Sequence, residues 1–221
     1  MKKSDFIEGG IQRIQGILVS KNAPCWCKFR FISGAKSKDQ TRFFMTCIHI
    51  ERCGKKSLLI STDGHRLHIA TLDTLDIEPG DYQVKENTRD FMVLYPCDEE
   101  FEYPNWRNII DSLDLKKRFK LNLENKNKQT FSNSLYGLYK TTGAPINMEY
   151  LEPLAFANNV WDVYFHDKER AHVFINGDLM AIIMPMINKE EIKVEEITRG
   201  PDFKDITPKA NVIEFKTKKT A

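Results

Sequence analysis

No run of roughly 18 apolar residues occurs in the 221-residue chain, so no ordinary membrane-spanning helix is expected. The opening Met1-Lys2-Lys3-Ser4-Asp5 is followed by an acid and paired glycines where a secretory leader would carry an unbroken apolar stretch, which makes a soluble, cytoplasmic protein the expectation. Charge of one sign is also lacking. With 33 Lys and Arg against 31 Asp and Glu, the net +2 gives no global attraction to nucleic acid, and DNA contacts have to come from local patches. The densest are Lys116-Lys117-Arg118 with Lys120, then Lys126 and Lys128, and the tail residues Lys216, Lys218 and Lys219. Cysteines are few and odd in number, Cys25, Cys27, Cys47, Cys53 and Cys97, which favours reduced thiols. Only Cys25-Trp26-Cys27 is tightly spaced, and a structural zinc site takes four ligands, so no metal or other cofactor is expected. No HxxxH, GxSxG or Walker pattern appears, which argues against an enzyme.

About 41% of the residues are hydrophobic, enough for one large domain or two small ones. Ile7, Ile11, Ile14 and Leu18 recur at helical spacing after a capping box from Asp5 to Glu8. Strand-like runs follow at 29–33, 42–51, 57–61 and 68–72. A second helix is predicted from the N-cap Asn147 through Met148, Leu151, Leu154 and Ala155 to about Asn158, limited or bent by Pro153. Three more strand runs come after it, at 160–165, 171–175 and 180–186. Between the two units, short strands are expected at 81–84, 91–95, 119–123 and 134–139, with no convincing helix. Asp63-Gly64 and Asn176-Gly177 are strong hairpin turns in matching places. The pattern predicts an α+β fold built as a degenerate duplication, each unit a helix on an antiparallel sheet. The boundaries are unit 1 at 1–102, a connector at 103–110 around Tyr103-Pro104-Asn105-Trp106, unit 2 at 111–188 and a charged tail at 189–221. Trp26, Trp106 and Trp161 suit core or interface anchoring better than base stacking, because no basic residues interleave with them.

Four segments, Arg42-Phe43-Phe44-Met45, Ser61 to Leu67, Tyr103-Pro104-Asn105-Trp106-Arg107 and Ala181-Ile182-Ile183-Met184-Pro185-Met186, together resemble the β subunit of bacterial DNA polymerase III, the sliding clamp. Their order agrees with that family, and they fall in the region similar to parts of its second and third domains. The family's fold is a ring of six similar domains around duplex DNA, with a pocket that accepts short peptides anchored by a leucine and an aromatic residue. The stretches 73–102 and 111–144 look too short and polar for that family's remaining helices.

Carried over by this resemblance, the pocket wall comprises Met45, Thr62, Gly64, His65, Arg66, Leu67, Pro104, Ile109, Ile182, Met184, Pro185 and Met186. Methionines suit varied apolar anchors, prolines stiffen the wall, Gly64 allows a tight turn, and His65 and Arg66 offer donors to a peptide. The implied function is a DNA replication processivity factor, a homo-oligomer that binds a polymerase or other replication protein through a short linear motif. Duplex DNA is an implied second partner, contacted without sequence specificity by Lys2, Lys3, Arg13 and Lys21. The second helix offers Glu149 and Glu152 and no basic residue, which leaves an alternative: a non-encircling, clamp-derived peptide-binding module acting as adaptor, decoy or regulator. A hydrolytic or metal site from Asp63, His65 and His68 is disfavoured, since a regular strand points His65 and His68 to opposite sides. Family chains end soon after Met-Pro-Met, whereas here Ile187-Asn188 follow and a last apolar run, Val212-Ile213-Glu214-Phe215, could cover the pocket or extend a sheet edge.

Overall fold

Alternating apolar residues either side of the Asp63-Gly64 turn build the centre of the molecule. The computed structural model describes residues 16–73, 77–97, 101–123 and 127–186. The chain divides into two compact units, 1–187 and 188–221, and every described residue lies in the first. The tail and its 212–215 run, Lys2, Lys3, Arg13 and the proposed helix residues Ile7, Ile11 and Ile14 lie outside the described residues.

The elements are β1 (Ile17–Ser20), α1 (Trp26–Ser33), a 3-10 helix (Gln40–Met45), β2 (Cys47–Cys53), β3 (Lys56–Thr62), β4 (Arg66–Asp73), β5 (Gly80–Asn87) and β6 (Phe91–Pro96). They continue with α2 (Arg107–Asp111), β7 (Lys117–Asn122), α3 (Lys128–Thr142), α4 (Met148–Ala157), β8 (Val160–Phe165), β9 (His172–Asn176) and β10 (Leu179–Ile183). All ten strands join one antiparallel sheet in the order β1-β6-β5-β2-β3-β4-β10-β9-β8-β7. The duplication is visible in the two halves, each a strand, helical layer and three-stranded meander: β1-α1-β2-β3-β4 and β7-α3-α4-β8-β9-β10. Each half keeps its meander intact, and β4 meets β10 at the seam through five residue pairs from Leu179↔Ala70 to Ile183↔Arg66. The halves differ at their outer strands: β7 pairs directly with β8, while the β5–β6 hairpin is inserted between β1 and β2.

Strand alternation separates two apolar layers. Leu59, Ala70, Ala181 and Ile183 join the main core with Phe29, Phe31 and Ile32 of α1 and Leu151 and Leu154 of α4. Ile60, Leu67, Ile69, Val173 and Ile182 point the other way and are covered by Tyr103, Trp106 and Ile110 of the connector and by Leu113. Helices α1 and α4 meet closely at Gly34: a Cβ there would lie 2.4 Å from Cγ of Pro153. The proline ring therefore fills the notch that the glycine leaves.

The predicted helix at Asn147 is α4, with the Asn147 side chain accepting from the Glu149 backbone N–H at 3.0 Å. Several expectations need correction. Residues 29–33, read as a strand, belong to α1, and its Trp26, Phe29 and Ile32 are buried at helical spacing. Phe31 and Ser33 are buried as well, because the helix is packed on two sides, and a short helix buried on two sides mimics a strand in sequence. Leu18, the last member of the first helical stripe, lies in β1. Within 42–51, Arg42 to Met45 form part of a 3-10 helix capped by Asp39, and the strand begins at Cys47. Residues 134–139, read as a strand, lie inside α3, so the region 111–144 does hold a helix. Its boundaries are set by a capping box between Asn127 and Thr130 and by Gly143 at φ 72°, while Phe131 and Leu138 face the core. The second half thus carries two helices where one was expected. Strand β10 stops at Ile183 rather than Met186; Pro185 has no N–H to donate to a ladder.

Candidate functional site

The site grows from the β3–β4 turn. Gly64 takes φ 89°, a conformation disfavoured for side-chain-bearing residues. Thr62 Oγ1 donates to the Arg66 carbonyl at 2.7 Å and accepts from the Gly64 N–H at 3.1 Å. Asp63 Oδ1 accepts from the backbone N–H groups of His65 and Arg66 at 2.9 and 3.0 Å, and its Oδ2 accepts from Arg66 Nε at 3.0 Å. These bonds fix the turn from within. Met45 closes one side, its sulfur 4.0 Å from the position a Gly64 Cβ would take.

Arg66 ties this turn to α4. Its side chain is 8% exposed, its Nη1 donates to the Glu149 carbonyl at 3.1 Å, and its guanidinium lies 4.4 Å from the Tyr150 ring centroid. It is turned inward, away from solvent; the exposed donor at the tip is His65. From the other side of the seam, the Met184 N–H donates to the His65 carbonyl at 2.9 Å. Pro185 is buried, whereas Met184 and Met186 are 41% and 49% exposed. The Met186 N–H donates to the Pro145 carbonyl at 2.8 Å. Pro145 is in turn part of an apolar cleft of about 260 Å³, formed with Ala144, Ile146 and the α3 residues Leu135, Tyr136, Leu138 and Tyr139. Met148 at the start of α4 is also exposed.

The connector carries Pro104 and Ile109 and is held by a polar network on β2. Glu51 accepts from Trp106 Nε1 at 3.0 Å and forms a two-pronged ion pair with Arg107. Its other contact is His49 Nε2 at 3.1 Å, while His49 Nδ1 meets Asp81 Oδ1 at 2.7 Å and the ring stacks on Tyr103 at 4.5 Å. The Arg107 hydrogen bond foremost, then those of Trp106 and His49, outweighs partial burial and holds the Glu51 carboxyl down at about 2. Burial works against the charged form of His49, but its bonds to Asp81 and Glu51 raise its pKa overall. Above this network Pro104 is half-buried and Ile109 is 38% exposed.

The predicted residues therefore fall into four groups. Thr62, Gly64, His65, Arg66 and Met184 are joined by direct bonds, and Met45 abuts them. Leu67 and Ile182 are cross-strand partners, buried beneath Trp106. Pro104 and Ile109 ride on the connector, and Pro185 and Met186 continue from the seam. Tyr150 and the Glu149 carbonyl, which meet Arg66, and the α3 cleft, which meets Met186 through Pro145, were missed, since only tertiary packing brings them there. The cap at Asn147 was the one local signal for their placement. His68 lies on the opposite face, fully buried and stacked 4.3 Å from Phe31, with Nδ1 2.8 Å from the Phe31 carbonyl oxygen. Among the described residues no group of three His, Cys, Asp or Glu is placed to hold a metal ion. Nor is any described helix long and apolar enough to cross a membrane. Of the residues assigned to DNA, Lys21 is described; it is exposed and ion-paired with Asp90.

The duplication places a second, equivalent corner at the far end of the seam. Gly177, at φ 53°, occupies the turn position of Gly64, and the Thr71 N–H donates to the Asp178 carbonyl at 2.9 Å as Met184 does to His65. That corner is polar: Lys28 Nζ bonds both the Thr71 carbonyl and the Asp178 carboxylate, at 2.6 and 2.9 Å. The two ends share a backbone plan and differ in chemistry.

This architecture is that of bacterial DNA polymerase sliding clamps. The sliding clamp of Bacillus subtilis aligns with a TM-score of 0.55 at 13% identity, covering 80% of this chain and 65% of that one. The DNA polymerase III subunit beta of Pseudomonas aeruginosa gives 0.51 at 13% identity, covering 85% and 70%. The DNA polymerase III beta chain of Streptococcus pneumoniae gives 0.54 at 14%, covering 84% and 68%. The chain thus spans slightly less than two thirds of the Bacillus subtilis clamp. At such identities the likeness establishes the fold. No protein-family profile matches the chain, and no curated protein matches it.

Proposed function

We propose that this sliding-clamp fold works in DNA replication as a processivity factor, whose seam groove grips short linear peptides of a polymerase or another replication protein. The observation that carries this reading is the pairing of exposed Met184 with the rigid Thr62-to-Arg66 turn through the His65 carbonyl. Exposed, flexible thioethers on a pre-formed backbone corner suit apolar anchors of varied shape, and little ordering cost remains at binding. The exposed His65 stands at the rim, and the connector with Pro104 and Ile109 forms the facing wall. The duplicated units and the 103–110 connector belong to this proposal, as does the tail from 189.

A labelled peptide with a leucine and an aromatic anchor should bind the intact chain, as read by fluorescence anisotropy. Met184→Ala should weaken it by roughly tenfold or more. Because Met184 is already 41% exposed, the melting temperature should hardly move. Equal affinity of variant and wild type would remove the groove from the proposal.

Encirclement is a separate matter from peptide recognition. Among the described residues the sheet ends at β1 and β7, strands at which further copies could continue it. Loaded protein should then stay on closed circular duplex and run off after linearisation, in gel-filtration retention assays. Retention indifferent to DNA topology would favour the non-encircling adaptor or regulator.

A further inference from the structure

Two of the five cysteines approach each other closely. Cys47 opens β2 and Cys97 follows β6, and their sulfurs lie 3.2 Å apart although 50 residues separate them in the chain. The two thiols are not equally accessible. Cys47 is fully buried, with Phe43 O and Thr46 Oγ1 at 3.7 and 3.9 Å from its sulfur; Cys97 is half-buried at a strand end, its N–H bonded to the Asp81 carbonyl at 2.8 Å. Cys27 and Cys53 are exposed, so a merely accessible thiol is available elsewhere; what distinguishes this pair is juxtaposition.

We infer that Cys47 and Cys97 form a redox modification site, a dithiol that small hydroperoxides convert to an intramolecular disulfide with Cys97 reacting first. The Cys97 thiolate attacks the terminal peroxide oxygen, the O–O bond breaks, and Cys97 becomes a sulfenic acid while the departing oxygen leaves as water or an alcohol. The Cys47 sulfur then attacks the Cys97 sulfur; the sulfenic hydroxyl leaves with a proton as water, and the S–S bond forms. The two thiols lose two electrons and two protons, and the hydroperoxide takes up both. The sulfurs close from 3.2 Å to the usual bond of about 2.05 Å, a movement that the strand-end position of Cys97 can supply. Burial pushes both thiols up, Cys97 to about 12, so the couple responds to sustained oxidant and is slow beside a dedicated peroxide sensor.

The location gives the bond a consequence. Cys47 directly follows the 3-10 helix that ends at Met45, and Cys97 precedes the connector that carries Tyr103, Pro104 and Trp106. A disulfide would fasten the roots of two groove walls together, whatever the groove binds.

The test uses the full chain treated with hydrogen peroxide, alkylated and mapped by non-reducing mass spectrometry. The expected product is a Cys47–Cys97 cross-linked peptide pair, reversed by dithiothreitol, with little dimedone adduct on Cys97. Cys47→Ser should lose the cross-link and accumulate the dimedone adduct at Cys97, because the sulfenic acid has no resolving thiol. Cys97→Ser, a milder change at a half-buried position, should show no cross-link to Cys47. Recovery of both wild-type cysteines as free alkylated thiols, or a stable Cys97 adduct in the wild type, overturns the assignment.

Discussion

Replacing Arg66 with alanine is expected to lower the unfolding free energy by about 3–5 kcal/mol, the range typical when one partner of a buried ion pair is removed. The cost comes from what remains behind. Asp63, whose side chain is 15% exposed, would keep its two backbone donors but lose the charge that balances it. The Glu149 carbonyl would lose its donor, and Tyr150 the guanidinium over its ring. Arg66→Lys should recover little, because one ammonium cannot reproduce a fork that meets Asp63 and Glu149 together. Urea denaturation measures the loss, and a change under about 1 kcal/mol would contradict this account of the turn. Peptide affinity should fall with it, since Arg66 fixes the turn against α4. Met184→Ala, by contrast, should change affinity alone, so the pair separates the scaffold of the groove from its surface.

Acid is the second large lever. Burial first of all, with a smaller contribution from nearby Arg66, depresses His68 from 6.5 to about 3, against the Phe31 carbonyl hydrogen bond that raises it. A base with a folded pKa below its unfolded value stabilises the fold fully only above the unfolded value. Stability is therefore lost as pH falls from about 6.5 towards 3, on the order of 5 kcal/mol across the window. His172, lowered chiefly by burial, acts in the same direction. His49 opposes them: with its pKa raised, its contribution is complete below 6.5 and disappears as pH rises through the folded value. Glu51, held at about 2, keeps its full contribution above 4.5 and loses it only on further acidification. Between pH 6.5 and 4.5 His68 should dominate. His68→Asn, which can still donate to the Phe31 carbonyl from a similar position, should flatten the pH dependence of the melting temperature in that range. An unchanged acid slope would show that His68 is not the responsible group.

The parts of the fold readable in sequence are those fixed by two or three adjacent residues. Asp63-Gly64 and Asn176-Gly177 announce their turns because the backbone requirement is local, and Asn147 announces α4 because its side chain caps its own helix. Helices α1 and α3 escape for different reasons. Packing on two sides puts apolar residues at both 29 and 31, the alternation of a strand, and in 134–139 the residues facing solvent include Tyr136 and Tyr139, aromatic residues of a kind favoured in strands. At the site, the resemblance of Thr62 to Leu67 and Met184 to Met186 anticipates two segments that the β4–β10 ladder places side by side. Nothing local predicts that Arg66 turns inward to Tyr150, or that Glu51 holds Trp106 and Arg107, since those partners are set by how distant elements meet.

The twin corners of the seam bear on stoichiometry. A fold that repeats its hairpin twice presents two backbone corners of one design, and symmetry alone would make the chain divalent. Lys28 occupies the Gly177 corner and supplies the charge that Asp178 and the Thr71 carbonyl call for, while the Gly64 corner is bordered by Arg42, Met45 and the exposed Met184. On the proposed peptide-binding reading each chain would be monovalent at its seam, and avidity for a multi-motif partner would come from the number of chains assembled.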